Sequence, residues 1–230
     1  MMRRTLTIAI VGAESTGKTT LAQVLAQALA DSTGLRCTAV PEWLRTWCER
    51  EGRTPRRDEQ AAIAERQHAL IDEATAAHDI VVTDTTALMT AVYSRIVFDD
   101  ASLDGMALGL HRRHVDITLL TALDLPWQAD GHQRDGPHVR GPVDDTLRAL
   151  MAGDGLGWSL VGGLGPRRLQ AALDAVAPAA RALTAPKRGL FTRLAERDAA
   201  QPDWPWLCDC DDPGCEHLAR KLTTNDSADR

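Results

Sequence analysis

The stretch Gly12-Ala13-Glu14-Ser15-Thr16-Gly17-Lys18-Thr19 narrows the possible folds of this chain more than any other. It fits the spacing Gly-x-x-x-x-Gly-Lys-Ser/Thr, in which a glycine-rich turn aims successive backbone N–H groups at a polyphosphate and the next helix presents its positive dipole end. Gly12 and Gly17 suit that turn because a residue without a side-chain carbon lets the backbone bend tightly and approach the phosphates closely. Lys18 is placed to reach the β- and γ-phosphate oxygens of a nucleotide. Thr19 is placed to offer its hydroxyl to Mg²⁺, which takes a few hard oxygen ligands and keeps most of its waters. Ala13, Glu14, Ser15 and Thr16, with Thr20 just beyond, complete the expected nucleotide-binding set. The flanks agree with this reading: Leu6 to Val11 is an apolar strand, and residues 20–29 form a helix with Leu21, Val24, Leu25 and Ala28 on one face.

The rest of the chain alternates in the same way. Residues 35–40 read as a second strand ended by Pro41, which places Glu42, Trp43, Arg45 and Trp47 at the edge of the crevice where open α/β sheets bind ligands. Asp58 is expected to cap a long helix running to about Ala77, packed through Ala61, Ala64, Ala69, Leu70 and Ala74, with Arg66 and Glu73 in water. Ile80-Val81-Val82-Thr83-Asp84 is a buried strand closing on a carboxylate, the form of a Walker B strand whose Asp holds Mg²⁺ directly or through a water. Helices over 85–98 and 103–113 precede a fourth strand at 116–121. Residues 130–142 are polar and rich in Gly and Pro, and read as a loop over the site. A helix over 143–151, a strand over 158–161 and a helix from Pro166 to about Leu183 complete the pattern. The expectation is a three-layer α/β P-loop fold, with a parallel sheet of about five strands and helices on both faces. Residues 1–183 form this domain, and 184–230, richer in Pro, Gly and charge, form a C-terminal extension.

Composition sets limits on partners. A formal charge of −6 over 230 residues provides no general attraction to nucleic acid. No apolar run approaches the roughly 20 residues that span a bilayer, so membrane insertion is not expected. The Met-Met-Arg-Arg start resembles a leader, but the apolar segment behind it is the strand that feeds the phosphate loop. Five cysteines suggest reduced thiols, and the chain reads as cytoplasmic. Of two basic clusters, Arg53 to Arg57 reads as a solvated loop, and His111-Arg112-Arg113-His114 as the cationic last turn of a helix.

Taken together, these residues resemble the ribosylnicotinamide kinase domain of NadR and the wider set of small P-loop proteins related to it. The resemblance rests on Glu14-Ser15 within the loop, Pro41-Glu42-x-x-Arg45, Gln67 and Glu73 on the long helix, Val82-Thr83-Asp84-Thr85, and Trp127-x-x-Asp130-Gly131-x-x-Arg134, in consistent order over residues 5–182. It implies ATP- and Mg²⁺-dependent transfer of the γ-phosphoryl group to the 5′-hydroxyl of a riboside such as nicotinamide riboside. Under it, Lys18, Mg²⁺ and the loop arginines Arg134 and Arg140 neutralise charge on the transferring group. Glu42 orients or deprotonates the acceptor hydroxyl, Asp84 shares the metal, and Trp43, Trp47 and Trp127 could stack a cationic ring or simply pack. One departure stands out: Thr86 occupies the place, two residues after Asp84, where NadR-like kinases tend to carry a second carboxylate.

That departure and the appended tail also fit an alternative, a nucleotide-dependent regulatory ATPase or switch with no small acceptor. A GTP switch fits less well, because Thr121-Ala122-Leu123-Asp124 lacks the lysine of the guanine-binding motif. In the tail, Cys208, Cys210, Cys215 and His217 suit tetrahedral Zn²⁺ in number and softness, although their spacing is unlike the usual knuckles and free thiols are the other reading.

Overall fold

The computed structural model describes residues 5–128 and 136–184. Five parallel strands, β1 (Leu6–Val11), β2 (Cys37–Val40), β3 (Ile80–Asp84), β4 (Ile117–Thr121) and β5 (Ser159–Val161), lie in the order β2-β3-β1-β4-β5. Among the described residues they alternate with seven helices: α1 (Lys18–Thr33), α2 (Trp43–Glu51), α3 (Gln60–Ala77), α4 (Ala87–Phe98), α5 (Asp104–His114), α6 (Arg140–Gly153) and α7 (Pro166–Thr184). The register sets Ile10 beside Asp84 on one side of β1 and Val11 beside Leu120 on the other. No helix of the described residues is long and apolar enough to cross a membrane.

Strand periodicity sorts the core into two layers. Leu6, Ile8 and Ile10 of β1 pack with Leu21, Leu25 and Leu29 of α1 and Val176 of α7. Val11, with Leu120 of β4, packs against Leu88 and Val92 of α4 and Leu147 and Met151 of α6 on the opposite face. Fully burying side chains of this size stabilises a fold by about 1.5–3 kcal/mol each, before the entropy of ordering them is subtracted. The helix after β1 and the helix after β3 therefore leave on opposite faces, which opens a crevice beyond the carboxyl ends of those adjacent strands.

Several local expectations change. The buried stripe of α1 is Leu21, Ala22, Leu25, Ala26 and Leu29, whereas Val24 is 40% exposed; small alanines let the helix approach the sheet. Asp58 does not cap α3. A single helical turn at Arg57–Glu59 leads into it, and Glu59 accepts from the Arg56 backbone N–H at 2.7 Å and from both terminal nitrogens of Arg53. The buried face of α3 is Ile63, Ala64, Gln67, His68 and Ile71, with two polar side chains at its centre. Arg140 and Pro142, expected in a loop, lie in α6. The basic cluster does form the last turn of α5, with Arg112 and Arg113 exposed, but His111 is buried out of it and burial holds its imidazole down at about 4.

Candidate active site

The loop from Gly12 to Gly17 leaves the end of β1 and is held from below by the end of β4. Gly12 has φ +147°, and a side-chain carbon there would come within 2.1 Å of Thr121 Oγ1. That hydroxyl bonds Thr16 Oγ1 at 2.7 Å, and Thr16 Oγ1 also donates to Ala13 O at 2.8 Å. Two further positions take left-handed backbone, Ser15 at φ 54° and Gly17 at φ 76°. Lys18 donates from Nζ to Ala13 O at 2.8 Å, inside the turn it is expected to serve. Glu14 is buried, with one carboxylate oxygen unpartnered among the described residues. Ser15 Oγ accepts from the Gln128 N–H at 2.8 Å, and Thr20 stands exposed in the first turn of α1.

Across the crevice, Asp84 ends β3, and its Oδ2 accepts from Thr19 Oγ1 at 2.5 Å. Its Oδ1 is buried without a partner among the described residues. A carboxylate with unused acceptor capacity beside a threonine hydroxyl is an oxygen donor set that fits Mg²⁺. The next residue, Thr85, sits at φ 77°, an outlier for a β-branched side chain and a sign of strain at a functional turn. Hydrogen bonds hold this turn in place. Thr83 Oγ1 donates to Thr85 O at 2.7 Å, Gln67 Nε2 donates to Thr83 Oγ1 and to Pro41 O at 3.3 Å each, and Gln67 Oε1 accepts the Trp43 N–H at 2.7 Å. Buried Gln67 thus ties the start of α2 to the turn after Asp84.

Glu42 is the N-cap residue of α2, and its carboxylate does not take the capping bond. Trp43 carries the guanidinium of Arg50 at 5.8 Å and that of Arg66 at 5.7 Å from its ring centroid; Trp47 carries that of Arg53 at 4.9 Å. Both rings already engage cations of this chain. Trp127 is half-buried, and its indole N–H has no partner among the described residues. Thr86 is fully buried, caps α4 by accepting from Leu88 N–H at 3.3 Å, and meets His111 Nδ1 at 3.2 Å. Its hydroxyl is engaged inside the protein. Cys48 packs beside Trp47, and burial, then the Glu42 charge, push its thiol up to about 11, so it stays protonated and inert.

Sequence reasoning named Arg140 as a loop residue and missed Arg168. Arg140 is only 8% exposed; it donates to Leu125 O at 2.8 Å, while its Nε and second terminal nitrogen are buried without partners among the described residues. Arg168 of α7, also buried, reaches Thr16 O at 2.6 Å and pairs with Asp124. Nothing in the local pattern around Arg168 marks it; an arginine in the first turn of a helix reads as solvent-facing. Arg134, together with Asp130 and Gly131, lies outside the described residues, as do Cys208, Cys210, Cys215 and His217.

The sequence profile of a family described as AAA domain matches residues 7–163. Among solved structures, NadR in complex with NAD and AMP-PNP is similar at 20% identity and a TM-score of 0.62, over 81% of this chain and 52% of that one. NadR in complex with NR is similar at 22% identity and 0.59, over 81% and 53%. Thymidylate kinase from Candida albicans is similar at 12% identity and 0.58, over 78% and 94%. These likenesses establish a kinase-like P-loop fold, and the chain spans about half the length of the NadR structures it matches. No curated protein sequence matches.

Proposed function

The chain belongs to the AAA domain family, and on that premise we propose that it transfers the γ-phosphoryl group of ATP to a hydroxyl of a small molecule, in its most specific form the 5′-hydroxyl of nicotinamide riboside. The observation that carries this reading is the contact of Thr19 with Asp84, whose second carboxylate oxygen is unspent, beside a phosphate loop whose glycine conformations are built in. The NadR structures were solved with a nucleotide analogue and with NR, and the same fold supports the assignment here.

Thr19 and Asp84 would hold Mg²⁺, which when bound supplies neutralising charge at the β- and γ-phosphate oxygens. The other roles belong to the chain. Backbone N–H groups of residues 12–19 and the N-terminus of α1 bind the phosphates. Lys18 leaves Ala13 O for the γ-phosphate oxygens, and the unpartnered donors of Arg140 stabilise the loose, charge-spread transition state. Arg134 is proposed for the same role. Glu42, at the acceptor edge with Arg45, orients the attacking hydroxyl and accepts its proton, and Trp127 is the ring left to stack a base. The catalytic domain is residues 1–183, with 184–230 appended, in a cytoplasmic protein.

The alternative, a regulatory ATPase without a small acceptor, is favoured by one observation: Trp43 and Trp47 already carry arginines where a cationic acceptor ring would stack. The deciding experiment incubates the protein with Mg-ATP and a nucleoside and riboside panel, with Lys18→Ala as control. A phosphorylated nicotinamide riboside that disappears with Lys18→Ala supports the specific form. Product from another acceptor moves the assignment to that acceptor. ATP hydrolysis that no acceptor stimulates establishes the alternative.

A further inference from the structure

We infer that Arg168 is a positioning residue for the phosphate loop, fixing the Thr16–Gly17 peptide so that its N–H faces the phosphates. This inference rests on the nucleotide-binding reading above. Arg168 lies in α7, more than 150 residues from the loop it touches, at 5% exposure. Each of its three nitrogens has its own partner. One terminal nitrogen donates to Thr16 O at 2.6 Å, Nε donates to Gly163 O at 2.9 Å, and the other terminal nitrogen pairs with Asp124. The second oxygen of Asp124 accepts the Gly163 N–H at 2.5 Å. Segments following β4 and β5 thereby lock the guanidinium from behind, and its free edge ends on the loop.

The consequence follows from peptide geometry. In a planar trans peptide the carbonyl of Thr16 and the N–H of Gly17 point in opposite directions. Holding the carbonyl on the α7 side therefore turns the Gly17 N–H the other way, across the turn. The restraint is needed there because Gly17 sits at φ 76° and glycine has no side-chain carbon to resist rotation of the adjoining peptide. A flipped peptide would put a carbonyl oxygen where an anionic phosphate must bind. Thr16 is secured a second time through its hydroxyl, on Ala13 O and Thr121, so its carbonyl and its side chain are both anchored. Because Asp124 balances its charge, Arg168 acts through geometry and not through added positive potential.

Arg168→Lys keeps the charge and loses the fork. In the full chain, calorimetry with Mg²⁺ and inorganic tripolyphosphate should show affinity reduced by about ten- to hundredfold, the scale of a hydrogen bond to a charged group. Binding of adenosine, which has no phosphate, should be unchanged. The Gly17 amide proton should shift downfield on adding tripolyphosphate to the wild type and not to the variant. Asp124→Asn, which retains an acceptor for Gly163, should show a smaller loss in the same direction and keeps the test open if Arg168→Lys fails to fold. Wild-type tripolyphosphate affinity in both variants overturns the inference, as does an equal loss for tripolyphosphate and adenosine, which would mark a general structural role. A wild-type protein that binds neither tripolyphosphate nor ATP overturns the nucleotide-binding reading itself.

Discussion

Thr19 donates its hydroxyl to Oδ2 of Asp84 at 2.5 Å, joining the first turn of α1 to the end of β3, 65 residues apart in sequence. Oδ1 of the same carboxylate is buried with no partner among the described residues. Asp84→Asn preserves the shape and removes the charge. The Mg²⁺ concentration needed for ATP binding should rise about 10- to 100-fold, as read from calorimetric titrations at several metal concentrations. An unchanged requirement would remove Asp84 from the metal site.

Arg140 pairs its burial with two donors unpartnered among the described residues, an arrangement that costs the empty protein and gives an anion a ready ligand. Arg140→Met should leave the thermal midpoint equal or higher while phosphoryl transfer falls about 10³- to 10⁵-fold. Retained transfer, or a collapsed midpoint, would show that the guanidinium serves the fold.

Gly12→Ala would place a carbon 2.1 Å from Thr121 Oγ1 and strain a φ of +147°. Urea denaturation should show a loss of about 1–3 kcal/mol. Adding Thr121→Ala should restore part of it and no more, because the Thr121 backbone N and O still stand 3.3 Å from the new carbon.

His111 and His68 carry a pH signature. Burial holds the His111 imidazole at about 4, and burial, then His114 and His111, hold His68 at about 4, against an ordinary value of 6.5. Both stay neutral in the fold, whereas the unfolded chain binds protons below 6.5. Stability should therefore be insensitive to these groups above that pH and fall as pH drops from 6.5 toward 4, by roughly 3 kcal/mol for each imidazole across the window. His111 bonds Thr86 and Thr118 Oγ1, the latter at 2.7 Å, and Gln can supply both a donor and an acceptor there. Urea midpoints of His111→Gln should depend less steeply on pH than the wild type's. Equal slopes would contradict the assignment.

The sheet, its helices and the phosphate loop were legible because each is a local pattern: an apolar run, a 3.6-residue stripe, or a glycine spacing with one physical solution. Asp84 was legible for the same reason, as a carboxylate closing a buried strand. The long helix was found and Ala64, Leu70 and Ala74 of its packing face with it, but not the buried Gln67 and His68, polar side chains whose partners, Trp43, Thr83 and Ala87, lie far along the chain. Arg140 was expected in a loop and lies in α6, because Gly141 and Pro142 read as breakers while Pro is tolerated in the first turn of a helix.

By itself, then, the sequence determined what repeats or punctuates locally: the strand and helix order, the glycine-rich turn after β1, and the carboxylate opposite it. Tertiary structure alone decided which distant groups complete those parts, seating Arg168 on the carbonyl of Thr16 and turning Thr86 toward His111. The reason is that a side chain's partner across the fold is chosen by geometry summed over the whole sheet, and no window of neighbouring residues contains it.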